Sequence, residues 1–303
     1  MKKADIYKKI NDQVIKGLTE KGLNWFKPWR NSLGDIELPY NYKSKKQYNG
    51  VNIFMLSAMM SYHGYEHNAW LSFKQASEMG GKVIKGEKGT QVVYWRPYLF
   101  DKVAEKPVYK FTPAMKANTE RYDLRFLLKT TNVFNLDQIE GIDIEAVEPV
   151  EVSEFYPVEA AQAVVDSYIA AQNIKLQHRE SKAYYNKTRD LINMPMPEAF
   201  IDADSYYKTL FHEMAHSTGH KKRLNRATLN EIESWGDATY AREELVAEIS
   251  AMYLTGLLNL APKDSMTNSQ AYINGWIKFL KDKPMEAATA MTQATKAVAL
   301  ITA

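Results

Sequence analysis

His212 and His216 stand four residues apart, with Glu213 directly after the first, in the run Phe211-His212-Glu213-Met214-Ala215-His216. This H-E-x-x-H spacing constrains the fold because it has chemical use only on an α-helix. There, residues four apart lie one above the other, and two imidazoles can face one ion. Glu213 then sits beside the open side of that ion, where a carboxylate can take a proton from a metal-bound water. Neutral imidazole suits Zn2+, a borderline-soft cation, and other divalent ions such as Mn2+ or Co2+ can use the same donors. The flanking residues predict the helix. Asp202 to Ser205 offers N-caps, Leu210, Phe211, Met214 and Ala215 form an apolar stripe, and Gly219 offers a stop.

A catalytic zinc takes a third protein ligand. The longer H-E-x-x-H-x-x-G-x-x-H spacing fails, because the position that needs a histidine is Lys222. His220 is four beyond His216, but Gly219 is expected to turn the chain away first, which leaves His220 as a candidate oxyanion donor. Residues 240–251 read as a second helix carrying Glu243, Glu244 and Glu248 among Leu245, Val246 and Ile249. Buried carboxylates need partners. Helix phase prefers Glu244 to Glu243 as the metal ligand, with Glu248 accepting the second ring N–H of a ligating histidine. Tyr240 is a further candidate oxyanion donor.

Charge divides the chain. Its 303 residues carry a net charge of only +3, yet residues 1–130 hold 23 Lys and Arg against 12 Asp and Glu, a net +11. Residues 130–174 hold nine acids and no Lys or Arg. A basic front half implies a polyanionic partner, and the acidic stretch implies a boundary. The expected organisation is a domain over 1–145, an acidic linker over 146–159 and a second domain over 160–303. There are no cysteines, so disulfide scaffolds and thiolate metal sites are excluded. No apolar run approaches the ~18 residues of a membrane span, and the N-terminus has no apolar signal core. The expected location is the cytoplasm, with no membrane partner.

Hydrophobic periodicity predicts helices over 4–18, where Ile6, Ile10, Val14 and Leu18 share a face, and over 51–62, 160–171, 270–280 and 284–299. Strands are predicted over 91–95, 123–136, 182–186 and 190–194. The last two could supply an edge that aligns a peptide by backbone pairing. Residues 41–49 read as a polar loop, and 101–121 as an irregular charged hairpin or insertion.

Single-strand binders combine a cationic groove with aromatic platforms for the bases. The front-half candidates are Trp25, Lys27, Trp29, Arg30, Lys43, Lys45, Lys46, Tyr48, Trp70, Lys74, Lys82, Lys85, Lys88 and Arg96, with Trp95 beside the last.

Both halves resemble the plasmid and phage antirestriction proteins of the ArdC type. The front-half motifs are W-F-K-P-W (25–29), Y-N-G-V-N (48–52), W-L-S-F-K-Q-A (70–76), G-G-K-V-I-K-G-E-K-G-T (80–90), V-V-Y-W (92–95) and V-F-N-L-D-Q-I-E-G (133–141). The back-half motifs are A-Y-Y-N-K-T-R-D-L-I-N-M-P (183–195), H-E-M-A-H-S-T-G-H-K-K-R-L-N-R (212–226) and Y-A-R-E-E-L-V-A-E (240–248). The resemblance implies an α+β protein of two domains. The first is a basic, single-stranded-DNA-binding α+β domain, and the second a mostly helical zincin-like metallopeptidase domain with a small sheet. It also implies a role in shielding incoming DNA from host restriction. It supports the metal set His212, His216 and Glu244, with Glu213 as catalytic acid/base. The implied partners are single-stranded DNA, double-stranded DNA more weakly, and a restriction-system protein as peptide substrate. Two other readings are a DNA-protecting protein whose metal site is structural or silent, and a peptidase whose basic domain recognises an acidic protein.

Overall fold

The computed structural model describes residues 3–26, 38–143, 157–230, 238–262 and 270–303. The front part opens with α1 (Lys3–Lys21), whose Ile6, Ile10, Val14 and Leu18 are all buried, as their spacing predicts. Gly22, at a φ of +58°, ends the helix, and a 3-10 turn over Gly22–Phe26 drives Trp25 and Phe26 into the core.

The stretch read as a polar loop folds instead as a small hairpin of β1 (Tyr40–Asn41) and β2 (Lys46–Gln47). Its turn places Lys45 at a φ of +54°, so polarity concealed a strand pair with no alternating apolar residues to betray it. After it come α2 (Val51–His63), β3 (Ala69–Ser72) and α3 (Phe73–Glu78), the last begun by a Ser72–Gln75 capping box. Then follow β4 (Lys82–Val83), β5 (Thr90–Asp101), β6 (Lys106–Val108), α4 (Pro113–Ala117), β7 (Tyr122–Asn135) and β8 (Ile139–Glu140).

The main sheet has the order β2-β1-β3-β7-β5-β6, and β4 pairs with β8 separately. β5 and β7 pair antiparallel from Thr90↔Val133 to Asp101↔Tyr122, so much of the segment expected to be irregular is the tip of a long ribbon. At that tip Asp101 accepts bonds from the Val103 and Ala104 amides (both 3.0 Å) and from Arg121 (2.9 Å). Those bonds satisfy backbone groups that the charged composition gave no means of placing.

The back part runs α5 (Pro157–Gln172), β9 (Lys175–Gln177), β10 (Tyr184–Asn186), β11 (Leu191–Asn193), α6 (Ala203–Thr218), α7 (Ala227–Asn230), α8 (Ala238–Leu257), α9 (Gln270–Asp282) and α10 (Glu286–Ile301). Both predicted strands form, and β9, which is too short to show a pattern, pairs parallel with β11. The small sheet therefore has the order β10-β11-β9, with β10 on an edge. The molecule is α+β: a basic front part built on the larger sheet, then a mostly helical part with its own small sheet. No described helix is long and apolar enough to cross a membrane.

The main core crosses from one part to the other. Ile6, Val14, Phe26 and Phe54 share it with Leu210, Tyr253, Met291 and Ile301, and the Asn11 side-chain amide donates to the Leu280 carbonyl (2.8 Å). A smaller cluster of Leu56, Met60, Trp70, Val92 and Val133 holds α2 on the large sheet. Most of the acidic segment 146–159 lies outside the described residues.

Candidate metal centre

α6 and α8 build the site. Asp202 caps α6 by accepting from the Ser205 amide (2.7 Å), and Leu210, Phe211, Met214 and Ala215 fix the helix's rotation by being fully buried. That rotation brings His212 and His216 to face α8. Their Nε2 atoms stand 3.1 Å apart. From α8, Glu244 places one carboxylate oxygen 3.6 Å from His212 Nε2 and the other 3.4 Å from His216 Nε2. One ligand atom from each of these three residues lies within 4.8 Å of the others, a two-nitrogen, one-oxygen set of the kind that holds a divalent cation.

The rear of each imidazole meets another acid. Glu248 Oε1 is 3.4 Å from His212 Nδ1, and Glu243 Oε1 is 3.4 Å from His216 Nδ1. A carboxylate behind Nδ1 keeps the proton there and leaves Nε2 as the donor atom, so both rings present the same tautomer to the shared point. The second acid is the one helix phase had ranked behind Glu244 as a ligand. It supports a histidine instead.

Glu243 is itself held. Arg226 donates to both its oxygens, through Nε at 3.1 Å and through a shorter contact from Nη2, and the Thr228 hydroxyl donates at 2.6 Å. Arg226 also donates to the Thr218 hydroxyl (2.5 Å) and the Ala215 carbonyl (2.7 Å), tying the end of α6 to α8. Gly219 makes room for this guanidinium, since a Cβ there would lie 2.8 Å from Arg226 Nη2. Gly219→Ala, at an ordinary φ of −75°, is therefore expected to cost about 1–3 kcal/mol through overpacking, read as a lower melting temperature with unchanged secondary structure.

The electrostatics call for positive charge. Four acids (Glu213, Glu243, Glu244 and Glu248) surround two histidines and one arginine, all at least four-fifths buried. Burial opposes charging the imidazoles, yet Glu244 and Glu248 together hold the His212 pKa well above its ordinary value. Glu243 and Glu244 likewise raise His216 to about 9. The two imidazoles keep the Glu244 carboxyl well below its ordinary range against the opposing effect of burial, and His216 with Arg226 lowers Glu243 to about 2. Without a cation, protons on the imidazoles stand in for the charge that a divalent ion would bring. Metal uptake is thus expected to release protons, with affinity rising as pH climbs from the ordinary histidine value toward 9. The expected slope is about tenfold per pH unit for each proton displaced. Calorimetric titrations in buffers of different ionisation enthalpy read that number, and a value of zero would contradict the charge balance.

Tyr240 opens onto the site from the start of α8. Burial and the nearby Glu244 and Glu213 charges raise its phenol pKa, so it remains a neutral donor. Glu213 is 8 % exposed, one residue round the helix from His212, and its charge acts on both His212 and Tyr240. His220 is elsewhere. α6 ends at Thr218, so the four-residue stacking stops, and His220 Nδ1 accepts from the Lys222 amide with Asp190 3.7 Å away. No described contact joins it to His212, His216 or Glu244. Asp190 in turn pairs with Arg223 (2.5 Å) in a buried cluster that includes Tyr185. Arg226 and Thr228 escaped the sequence reading because they lie ten and twelve residues beyond His216, in a run that reads as a solvated basic turn.

Among the nucleic-acid candidates, Trp25 and Trp70 are core residues. Trp25 packs edge-on to Phe26, and Trp70 is fully buried with its indole N–H on Asn68 (3.0 Å), so neither offers a ring face to a base. Lys43 and Lys74 both reach Glu78 (2.6 and 3.6 Å), and Lys45 lies over the Tyr42 ring at 4.0 Å. Lys46, Lys82, Lys85, Lys88 and Arg96 are exposed, and Tyr48 is half-buried. Lys27, Trp29 and Arg30 lie outside the described residues.

Comparison with known proteins gives two family matches: the N-terminal domain of anti-restriction factor ArdC over residues 4–134, and a zincin-like metallopeptidase over residues 163–293. Two crystal structures of the antirestriction ArdC protein from plasmid R388 are similar at 32% identity. The metal-free form aligns over 98% of this chain and 96% of its own, with a TM-score of 0.70. The Mn(II)-bound form aligns over 97% and 96%, with a TM-score of 0.71. A DNA primase TraC of Escherichia coli is 31% identical over 97% of this chain, and the protein y4eC of Sinorhizobium fredii is 29% identical over 96%. This chain spans 27% of that primase's length, 20% of a second TraC, and 89% of y4eC.

Proposed function

The chain belongs to the ArdC family of antirestriction proteins, and from that premise we propose that it binds single-stranded DNA through its front part and hydrolyses a peptide bond at the α6–α8 site. The observation that carries the peptidase half is the convergence of His212, His216 and Glu244 within 4.8 Å, with Glu213 on the same turn. A Mn(II)-bound structure exists for the R388 relative, and the nitrogen-rich donor set favours zinc in this chain.

A bound divalent ion would acidify a water and polarise a peptide carbonyl. Every other task falls to side chains. His212, His216 and Glu244 hold the ion, while Glu248 and Glu243 fix the tautomer and direction of the two rings. Glu213, one residue round the helix from His212, takes the proton from the attacking water and passes it to the leaving amine. The Tyr240 hydroxyl donates to the oxygen on which negative charge develops. The edge strand β10 packs beside α6 and offers free backbone groups for aligning an extended peptide. The DNA half rests on the +11 balance of residues 1–130 and on kinship with proteins named for antirestriction and DNA priming.

The test strips the protein with chelator, reloads it with Zn2+ or Mn2+, and incubates it with a quenched-fluorescence peptide library and with restriction-system proteins. Cleavage is expected only in the reloaded samples. If reloaded protein protects DNA but cleaves nothing, the peptidase half fails and the reading with a catalytically silent site replaces it.

A further inference from the structure

The ribbon of β5 and β7 has two unlike faces. Directly paired residues share a face, so Tyr94, Arg96 and Tyr98 of β5 lie on the same side as Lys129, Leu127 and Arg125 of β7. All three cations of the two strands stand on that side. The other side carries Trp95, Pro97 and Phe126 and no Lys or Arg. On the cationic face Tyr94 is 46 % exposed, and Arg96, Arg125 and Lys129 are exposed.

Tyr109, just past β6, brings a further ring 5.7 Å from Tyr98, with the Arg96 guanidinium 5.4 Å from its centre. Arg125 covers the Phe100 ring at 3.8 Å and reaches Asp123 at 3.3 Å, which marks the outer end of the run. Rings and cations therefore alternate along one face, with same-face neighbours about 6.8 Å apart. At its inner end the face runs into a groove of about 860 Å³ that Tyr94 and Thr131 share with Asn41, Tyr48, Ser72 and Gln75. Its amides and hydroxyls can both donate and accept hydrogen bonds.

We propose that this face and groove form one track for single-stranded DNA, with bases stacked on Tyr94, Tyr98 and Tyr109 and phosphates on Arg96, Arg125 and Lys129. The inference rests on the DNA-binding half of the function proposed above. A single strand fits because its bases can be splayed onto ring faces, which a duplex keeps stacked inside. An acidic peptide would use the cations but has nothing to lay on the rings. None of Tyr94, Tyr98, Arg125 or Lys129 lies in the lysine-rich loops that composition brings forward, and only the β5–β7 register puts these four in line.

The test is fluorescence anisotropy of a labelled oligothymidylate against salt. Tyr94→Ala and Tyr98→Ala are each expected to weaken binding about tenfold at fixed salt while leaving the slope of log affinity against log salt unchanged. Arg96→Ala with Arg125→Ala is expected to reduce that slope by about 1.4, two phosphate contacts at about 0.7 each. Lys278→Ala with Lys281→Ala, exposed on α9 in the other part of the molecule, should change neither. Tyr94, Arg96 and Arg125 are exposed and Tyr98 is half-buried, so melting temperatures are measured alongside, and a loss of binding at an unchanged melting temperature is assigned to the track. If the parent binds the oligonucleotide and the ribbon variants bind equally well, the track is wrong and DNA binding stands. A parent that binds no oligonucleotide at low salt overturns both. An oligoglutamate peptide that competes equally at matched charge, and loses binding in the same arginine variants, would make the face an acidic-protein surface instead.

Discussion

Glu213→Gln is expected to lower the rate of peptide hydrolysis by about 10²–10⁴-fold, the contribution of a positioned general base, while leaving metal content intact. Glutamine has nearly the same shape, so the 8 %-exposed position keeps its packing, but its amide cannot accept the proton that a carboxylate takes. The ion's ligands come from His212, His216 and Glu244, so stoichiometric metal should persist by elemental analysis. DNA affinity should persist too, because the β5–β7 face belongs to another part of the molecule. Parental kcat/KM in a fully metal-loaded Glu213→Gln protein would sink the role assigned to Glu213. Loss of metal in the same variant would place Glu213 in the ligand set and overturn the division of labour between α6 and α8.

Arg226→Met is expected to be among the most destabilising single changes in the described residues. The guanidinium and the Glu243 carboxylate are 2 % and 1 % exposed, and removing the cation leaves a buried charge without its counterpart. Such breakage costs about 3–5 kcal/mol, on the order of 10 °C in melting temperature. Arg226→Met with Glu243→Gln should recover much of that loss, because no unpaired charge then remains.

The acid limb offers a second readout. The folded-state pKa of Glu243 is about 2 against an ordinary 4.5, so its ionised form stabilises the fold fully above 4.5. That contribution declines as pH falls toward 2, and the decline should shrink in Arg226→Met, where His216 alone is left to lower the pKa against burial. Metal affinity should fall about 10–100-fold as well, because Glu243 no longer holds His216 in place. Melting equal to the parent would show that the pair is dispensable.

Local pattern carried much of this molecule. The four-residue spacing of Ile6, Ile10, Val14 and Leu18 marks the buried stripe of α1, and Asp202 marks the start of α6, because both depend on neighbours within a turn or two. The donor types at the metal centre follow from His212, Glu213 and His216 for the same reason. Where patterning was short or polar it misled. The two-residue strands β1 and β2 have no room for a period, and Trp70, with polar Asn68 and Ser72 two positions to either side, reads as a surface aromatic although it lies in a core cluster.

What the chain decides by itself is which helices form and which side chains each one presents. That is short-range physics, set by backbone hydrogen bonding and the burial of one stripe. Helix phase already favours Glu244 as the acid that meets the two imidazoles, but the tertiary structure alone decides that Glu243 turns to Arg226, and that three cations line one face of the β5–β7 ribbon. Those choices depend on how α8 docks on α6 and how two distant strands settle their register. Docking and register are paid for by apolar contacts spread over the whole core, and no short window of residues contains them.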